Sequence, residues 1–231
     1  MLYLSALFLF TPQAFASDRE GMSTPQQEIW FQKEIADFEA KDRVSPPPQG
    51  IVLFTGSSIF RFWVSLEKDM SPLPVLNRAF GGARTWEVLH YADRIALPCK
   101  PKIIMYYCGS NDINYGARPG DIARCFKEFV ERVHAALPKT SIYFVSIIKA
   151  PQKKDAWDAI EAANAMIKTY CDTAAGLGFI DVNPVFFDRQ NHPRAELYIG
   201  DGLHFKPEAY REMTKVLKPV LDTAWKSLQE R

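Results

Sequence analysis

The chain has no C-x-x-C pair, no H-E-x-x-H and no other cluster with metal-ligand spacing. Neither a catalytic metal nor any other cofactor is therefore expected. Its four cysteines, Cys99, Cys108, Cys125 and Cys171, are too few among 231 residues for a disulfide scaffold. One or two bridges remain open in an oxidising compartment, with buried thiols as the other reading, above all for Cys108 at the end of an apolar run. An excess of one charge is missing too. Basic residues number 28 and acidic ones 27, for a net charge of +1 without long runs. Nothing in that balance attracts nucleic acid or an anionic membrane surface, and the expected partner is a small molecule. Internal repeats and low-complexity tracts are absent. No apolar run reaches the roughly 20 residues that a membrane-spanning helix needs.

Met1 to Phe10 are almost all apolar, and Ala14-Phe15-Ala16 stands just before Ser17. That is the order of a signal segment and its cleavage site, so export to the periplasm or the medium is expected, with no stable membrane insertion once residues 1–16 are removed. A short buried helix is the competing reading. Residues 24–43 carry Ile29, Trp30, Ile35 and Phe38 among charged side chains and end at Pro46-Pro47-Pro48, which predicts a helix packed outside the main unit. The expected organisation is thus a signal peptide at 1–16, a helical extension at 17–49 and one main domain at 50–231.

Within that domain, short apolar runs alternate with helical stretches. Strands are expected at 51–54, 74–77, 102–108, 141–148 and 179–182, and helices at 85–97, 119–137, 155–175 and 207–228. Continuous apolar runs suit strands covered on both faces, and the alternation calls for crossover connections. The predicted fold is α/β, a five-stranded parallel sheet between helices in a flavodoxin-like three-layer arrangement. Ligands in such sheets bind at the carboxyl ends of the strands, so the loops there deserve the closest reading.

The loop after the first strand reads Thr55-Gly56-Ser57-Ser58. Taken alone it is a helix cap or, as a rival, a phosphate cradle of the kind flavin-binding folds use. A loop of this kind can also expose a nucleophilic hydroxyl. The loop after the third strand, Gly109-Ser110-Asn111-Asp112, is turn-like, yet its Asn amide can donate to an oxyanion. Before the last helix, Asp201-Gly202-Leu203-His204 puts a carboxylate and an imidazole three residues apart, close enough for the first to orient the second. His90 and His134 fall in helical patterns and His192 in a polar turn. Together the loops supply nucleophile, base, orienting group and oxyanion donor.

These blocks resemble the SGNH (GDSL-type) hydrolase superfamily: Gly56-Ser57-Ser58, Asn77-Arg78-Ala79-Phe80-Gly81-Gly82, Gly109-Ser110-Asn111-Asp112 and Asp201-Gly202-Leu203-His204, in that order. The resemblance implies a flavodoxin-like sheet and an ester hydrolase with Ser58 as nucleophile, His204 as base and Asp201 as its orienting partner. It also implies an oxyanion hole made of the Ser58 and Gly82 backbone N–H groups and the Asn111 side chain. Ser57 stands where the family usually has Asp, which leaves two adjacent serines to separate. The expected substrate is a small-molecule carboxylic ester, with a short acyl group on a carbohydrate-like alcohol preferred. Lipid esters, lysophospholipids and thioesters are the alternatives within the superfamily, and the non-catalytic alternatives are a catalytically dead domain of the superfamily that binds carbohydrate and a flavin-binding α/β domain. Phe60, Phe62, Trp63 and Trp86, with Arg61 and Arg84, follow the first two blocks and are either cleft residues or packing and ion-pair residues.

Overall fold

The computed structural model describes residues 25–230. The expected signal segment at 1–16 lies outside the described residues. In chain order the structure runs α1 (Pro25–Val44), β1 (Val52–Gly56), α2 (Ser58–Arg61), α3 (Leu66–Met70), β2 (Val75–Asn77), α4 (Thr85–His90), α5 (Ala92–Ile95) and β3 (Ile103–Tyr107). It continues through α6 (Ser110–Asn114), α7 (Pro119–Ala136), β4 (Ser141–Val145), α8 (Trp157–Thr173), β5 (Leu177–Ile180) and α9 (Pro207–Gln229).

The five strands form one parallel sheet in the order β2-β1-β3-β4-β5, as the alternation of runs and helices requires. Strands β1 and β3 are buried along their whole length. Alternation along them divides the core. Leu53, Ile104 and Tyr106 pack with α1, α4, α5, α7 and α8. Val52, Phe54, Ile103, Met105 and Tyr107 face α2, α3 and α9. Each large apolar side chain so covered contributes about 1.5–3 kcal/mol. The order reverses between β1 and β3, and the loops leaving these two strands open the crevice where such sheets bind ligands.

Two strands end where their partners end. The expected strand at 141–148 stops at Val145 because β5 stops at Ile180, the residue opposite it. Beyond that point the Asn164 side chain replaces the ladder, accepting from Ile147 N at 2.8 Å and donating to Ile147 O at 2.9 Å. Strand β5 begins at Leu177, before the expected 179, since Leu177 pairs with Ile142. The expected helix at 85–97 breaks at Tyr91, whose ring is buried against Phe80. Helices α2, α3 and α6, each of four or five residues, are too short to show a period. All four cysteines are buried free thiols. Among the described residues, no helix is long and apolar enough to cross a membrane.

Helix α1 is fastened to the sheet's first face. Ile35 is fully buried, Phe31 packs edge-on to Phe80 at 5.1 Å, and Glu39 accepts from Arg94 at 2.5 and 2.8 Å. Arg78 and Asp42 add a largely buried ion pair.

Candidate active site

Strand β1 leaves the sheet at Gly56, with φ at +126°. A Cβ there would lie 1.8 Å from the Tyr107 carbonyl oxygen of β3, so only glycine fits. Ser57 N–H donates to that same oxygen at 2.9 Å, and Ser57 itself is 1% exposed. Ser58 then opens α2. This short helix is held from below: Phe60 packs on Phe54 at 5.1 Å, Tyr210 of α9 donates to the Ile59 carbonyl at 2.9 Å, and Asn77 donates to the Phe60 carbonyl at 2.6 Å. Ser58 is consequently fixed at the rim of the sheet with its hydroxyl accessible.

The loop before α9 folds on itself. Ile199 N–H donates to the His204 carbonyl at 2.9 Å and Gly202 N–H to the Ile199 carbonyl at 3.0 Å. Asp201 Oδ1 accepts from the backbone N–H groups of Leu203 and His204, both at 2.9 Å, which aims Oδ2 at the imidazole. His204 Nδ1 lies 2.6 Å from that Oδ2, and Nε2 lies 2.9 Å from Ser58 Oγ. With Nδ1 carrying the proton toward the carboxylate, Nε2 accepts from the Ser58 hydroxyl. Burial pushes the Asp201 carboxyl up, but the bonds from the His204 ring and from the two backbone N–H groups outweigh it and hold the group below the usual aspartate range. Phe62, about half exposed, sets its ring edge-on to His204 at 5.3 Å.

The loop after β3 turns at Gly109, φ +124°, where a Cβ would lie 2.4 Å from Ile147 Cδ1. From there α6 presents Asn111, whose amide donates to the Ala83 carbonyl at 2.9 Å; the Cys108 thiol donates to the same oxygen at 3.2 Å. Asp112 is buried and accepts from Thr85, with the hydroxyl at 2.5 Å and the N–H at 3.0 Å from each carboxylate oxygen. These bonds strap the segment carrying Gly82, which has φ +80°, onto the exit of β3. Burial drives the Asp112 carboxyl up to about 6 against the opposing pull of the Thr85 bonds.

The structure thus brings Ser58, His204 and Asp201 into one hydrogen-bonded line and joins Asn111 to the Gly82 segment. It separates the two serines as well, since His204 meets Ser58 while Ser57 is enclosed. The phosphate-cradle alternative fares worse, because the Ser58 hydroxyl is already engaged by His204 and α2 is a single turn. Phe60 and Trp63 are core residues, whereas Phe62 lines the rim. Arg84 pairs with buried Glu87, and Arg61 with Glu34 of α1. Sequence reasoning missed Asp112 as the strap and Glu34 as a neighbour of this site. The first sits inside a quoted block and carried its signal there; the second has none at the level of sequence.

Residues 55–212, over half the chain, match the GDSL-like lipase/acylhydrolase family. No curated protein matches the sequence. Among solved structures, a protein from Streptococcus pneumonia provisionally named a platelet activating factor superposes with a TM-score of 0.73 at 22% identity, covering 85% of this chain and 96% of its own. A GDSL-like lipase from Bacteroides thetaiotaomicron gives 0.70 at 19%, covering 82% and 98%. A carbohydrate esterase family 3 protein from Talaromyces cellulolyticus gives 0.61 at 16%, covering 78% and 99%. At these identities the likeness is one of fold.

Proposed function

The chain belongs to the GDSL-like lipase/acylhydrolase family, and on that premise we propose that it is a serine esterase working through a Ser58 acyl-enzyme, with short acyl groups on a carbohydrate-like alcohol as its substrates. One observation carries the mechanism: the unbroken line from Asp201 through His204 to Ser58, at 2.6 and 2.9 Å.

In this reading Nε2 of His204 takes the Ser58 proton as Oγ attacks the ester carbonyl. The tetrahedral oxyanion is stabilised by the backbone N–H groups of Ser58 and Gly82 and by the second N–H of the Asn111 amide, the first being spent on Ala83. His204 then returns its proton to the leaving alcohol. Water, deprotonated by the same imidazole, attacks the acyl-enzyme and frees the acid. Asp201 stays ionised and fixes the imidazole tautomer throughout, which its lowered pKa supports. No metal or cofactor enters any step.

The carbohydrate preference is supported by the named activity of the Talaromyces cellulolyticus neighbour. Export rests on the sequence of residues 1–16, and N-terminal sequencing of the secreted protein tests it: a mature start at Ser17 is expected. The central experiment is a chromogenic acyl-ester panel from acetyl to long-chain on wild type and Ser58→Ala. Activity concentrated at acetyl and abolished in Ser58→Ala is the expected result. Retained activity in Ser58→Ala together with loss in Ser57→Ala would overturn the choice of nucleophile.

A further inference from the structure

A cavity of about 310 Å³ lies between α1, the Gly81-Gly82 turn and the start of α4, and the exposed Tyr115 lines it too. It falls at the lower end of small-molecule sites, roughly 300–1,000 Å³. Because Gly82 lines it, the cavity opens onto the turn that carries a candidate oxyanion donor. We propose that this cavity is the subsite for a neutral, pyranose-sized sugar ring of the substrate, and that α1, which precedes the family-matched residues 55–212, supplies its outer wall and with it the substrate specificity.

The chemistry of the lining selects the occupant. Two rings, Phe31 and Tyr115, stand with two carboxylates, Glu34 and Glu87, and one guanidinium, Arg84. A fatty acyl chain would strip the remaining water from Glu34, whose side chain is 26% exposed, without replacing its hydrogen bonds, which is unfavourable; Arg84 and Glu87 are already buried against each other. Both guanidiniums beside the cavity are already paired, Arg84 with Glu87 and Arg61 with Glu34, so a phosphate or other anion would meet no excess of positive charge. That composition disfavours lysophospholipid head groups and phosphorylated thioesters. A sugar fits both features: its hydroxyls donate to carboxylates and accept from a guanidinium, and its C–H face covers an aromatic ring.

The polar groups are held in place before any ligand arrives. The Arg84 guanidinium lies 5.1 Å from the Trp86 ring and 4.5 Å from the Tyr115 ring, and its edge bonds Glu87 at 3.1 Å. Glu87 Oε2 also accepts from Arg84 N–H at 2.7 Å, closing a box at the start of α4. On the other wall, Arg61 reaches from the end of α2 across Gly81, where a Cβ would lie 3.0 Å from its Nη1, to meet Glu34. The ion pair thereby links α1, the glycine turn and the helix that begins at Ser58. Fixed groups of this kind lose little freedom on binding.

This inference rests on the carbohydrate-ester reading, so its test separates the two. The kcat/KM of acetylated xylotetraose is measured against that of 4-nitrophenyl acetate for wild type, Tyr115→Ala and Glu34→Gln. Calorimetry follows xylotetraose binding to Ser58→Ala with and without Tyr115→Ala. Each lining substitution is expected to lower the ratio of sugar ester to aryl ester about tenfold, the size of one lost contact. Tyr115→Ala is expected to weaken xylotetraose binding by a similar factor. An unchanged ratio, whether both rates fall together or neither moves, overturns the subsite, because a merely structural role affects both esters alike. A wild type that hydrolyses no ester defeats the esterase reading alone; calorimetry then still decides whether the sugar binds here. Efficient hydrolysis of aryl and long-chain esters, with no xylotetraose binding to Ser58→Ala, defeats the subsite and leaves the esterase standing.

Discussion

The loop that meets Ser58 and the loop that leaves the neighbouring strand β3 are built on opposite plans. The segment from Asp201 to His204 is partly exposed and shaped mainly by short bonds: Asp201 Oδ1 accepts from N–H groups two and three residues on, and Ile199 closes the turn onto the His204 carbonyl five residues on. One long-range backbone bond, from Gln152 N–H to the Gly202 carbonyl at 3.1 Å, anchors it. The segment from Cys108 to Asp112 is largely enclosed, and its bonds reach 25 to 28 residues back along the chain to Ala83 and Thr85. One loop therefore carries chemistry with little bearing on the fold, and the other carries both. The difference follows from polarity. An ionised carboxylate that orients a histidine benefits from solvent nearby, whereas an oxyanion donor gains strength from a rigid and drier setting.

The sharpest way to break that comparison is Asp201→Asn. The Asn oxygen can keep both backbone bonds at the turn, but the amide no longer holds the imidazole in the tautomer that accepts from Ser58. Turnover is expected to fall by ~10⁴, while the urea midpoint stays near wild type, the side chain being 43% exposed. A large drop in stability would mean that this loop is no more independent than its neighbour. Asn111→Ala comes next, with a loss of ~10²–10³ in kcat. It also removes the bond to Ala83 and so costs about 0.5–1.5 kcal/mol of stability. Turnover within twofold of wild type would remove Asn111 from the oxyanion hole.

The sequence shows one of these plans far better than the other. Asp201 and His204 stand three apart, so a local reading suffices to pair them, and the four blocks in order supply Ser58, Gly82 and Asn111. The bond from Asp112 to Thr85 spans 27 residues between two turn-like stretches and leaves no periodic trace. The same holds for the fold. Residues 51–54 and 102–108 read as strands because burial on both faces makes them continuously apolar. The ends of β4 and β5 do not read, since each is set by where its partner stops. Phe31 and Glu34 look like ordinary helix residues. Their position beside Gly82 comes from how α1 docks, through Ile35 in the core and Glu39 on Arg94, and no local pattern encodes that.

The strap formed by Asp112 leads to the prediction with the smallest expected effect on turnover and the clearest signature in pH. Its carboxyl titrates near 6 in the folded chain against 3.8 for an ordinary aspartate, chiefly because burial disfavours the charge. The folded protein therefore holds this proton more tightly than the unfolded chain does. The resulting stabilisation is fully present below about pH 4 and disappears as pH rises through 6, a change of about 3 kcal/mol for a shift of this size. Asp112→Asn keeps an acceptor for the Thr85 hydroxyl and has no proton to lose. Urea unfolding at pH 4 and pH 7.5 is the measurement, and the quantity of interest is the difference between wild type and variant at each pH. The variant is expected to gain on the wild type by about 2.5 kcal/mol between the two conditions, a little under the full change because pH 4 lies just above the unfolded pKa. A constant difference would mean that Asp112 titrates like an exposed aspartate and that the Gly82 segment is held by Asn111 and Cys108 instead. The two loops would then differ in the reach of their bonds but no longer in the cost of burying charge.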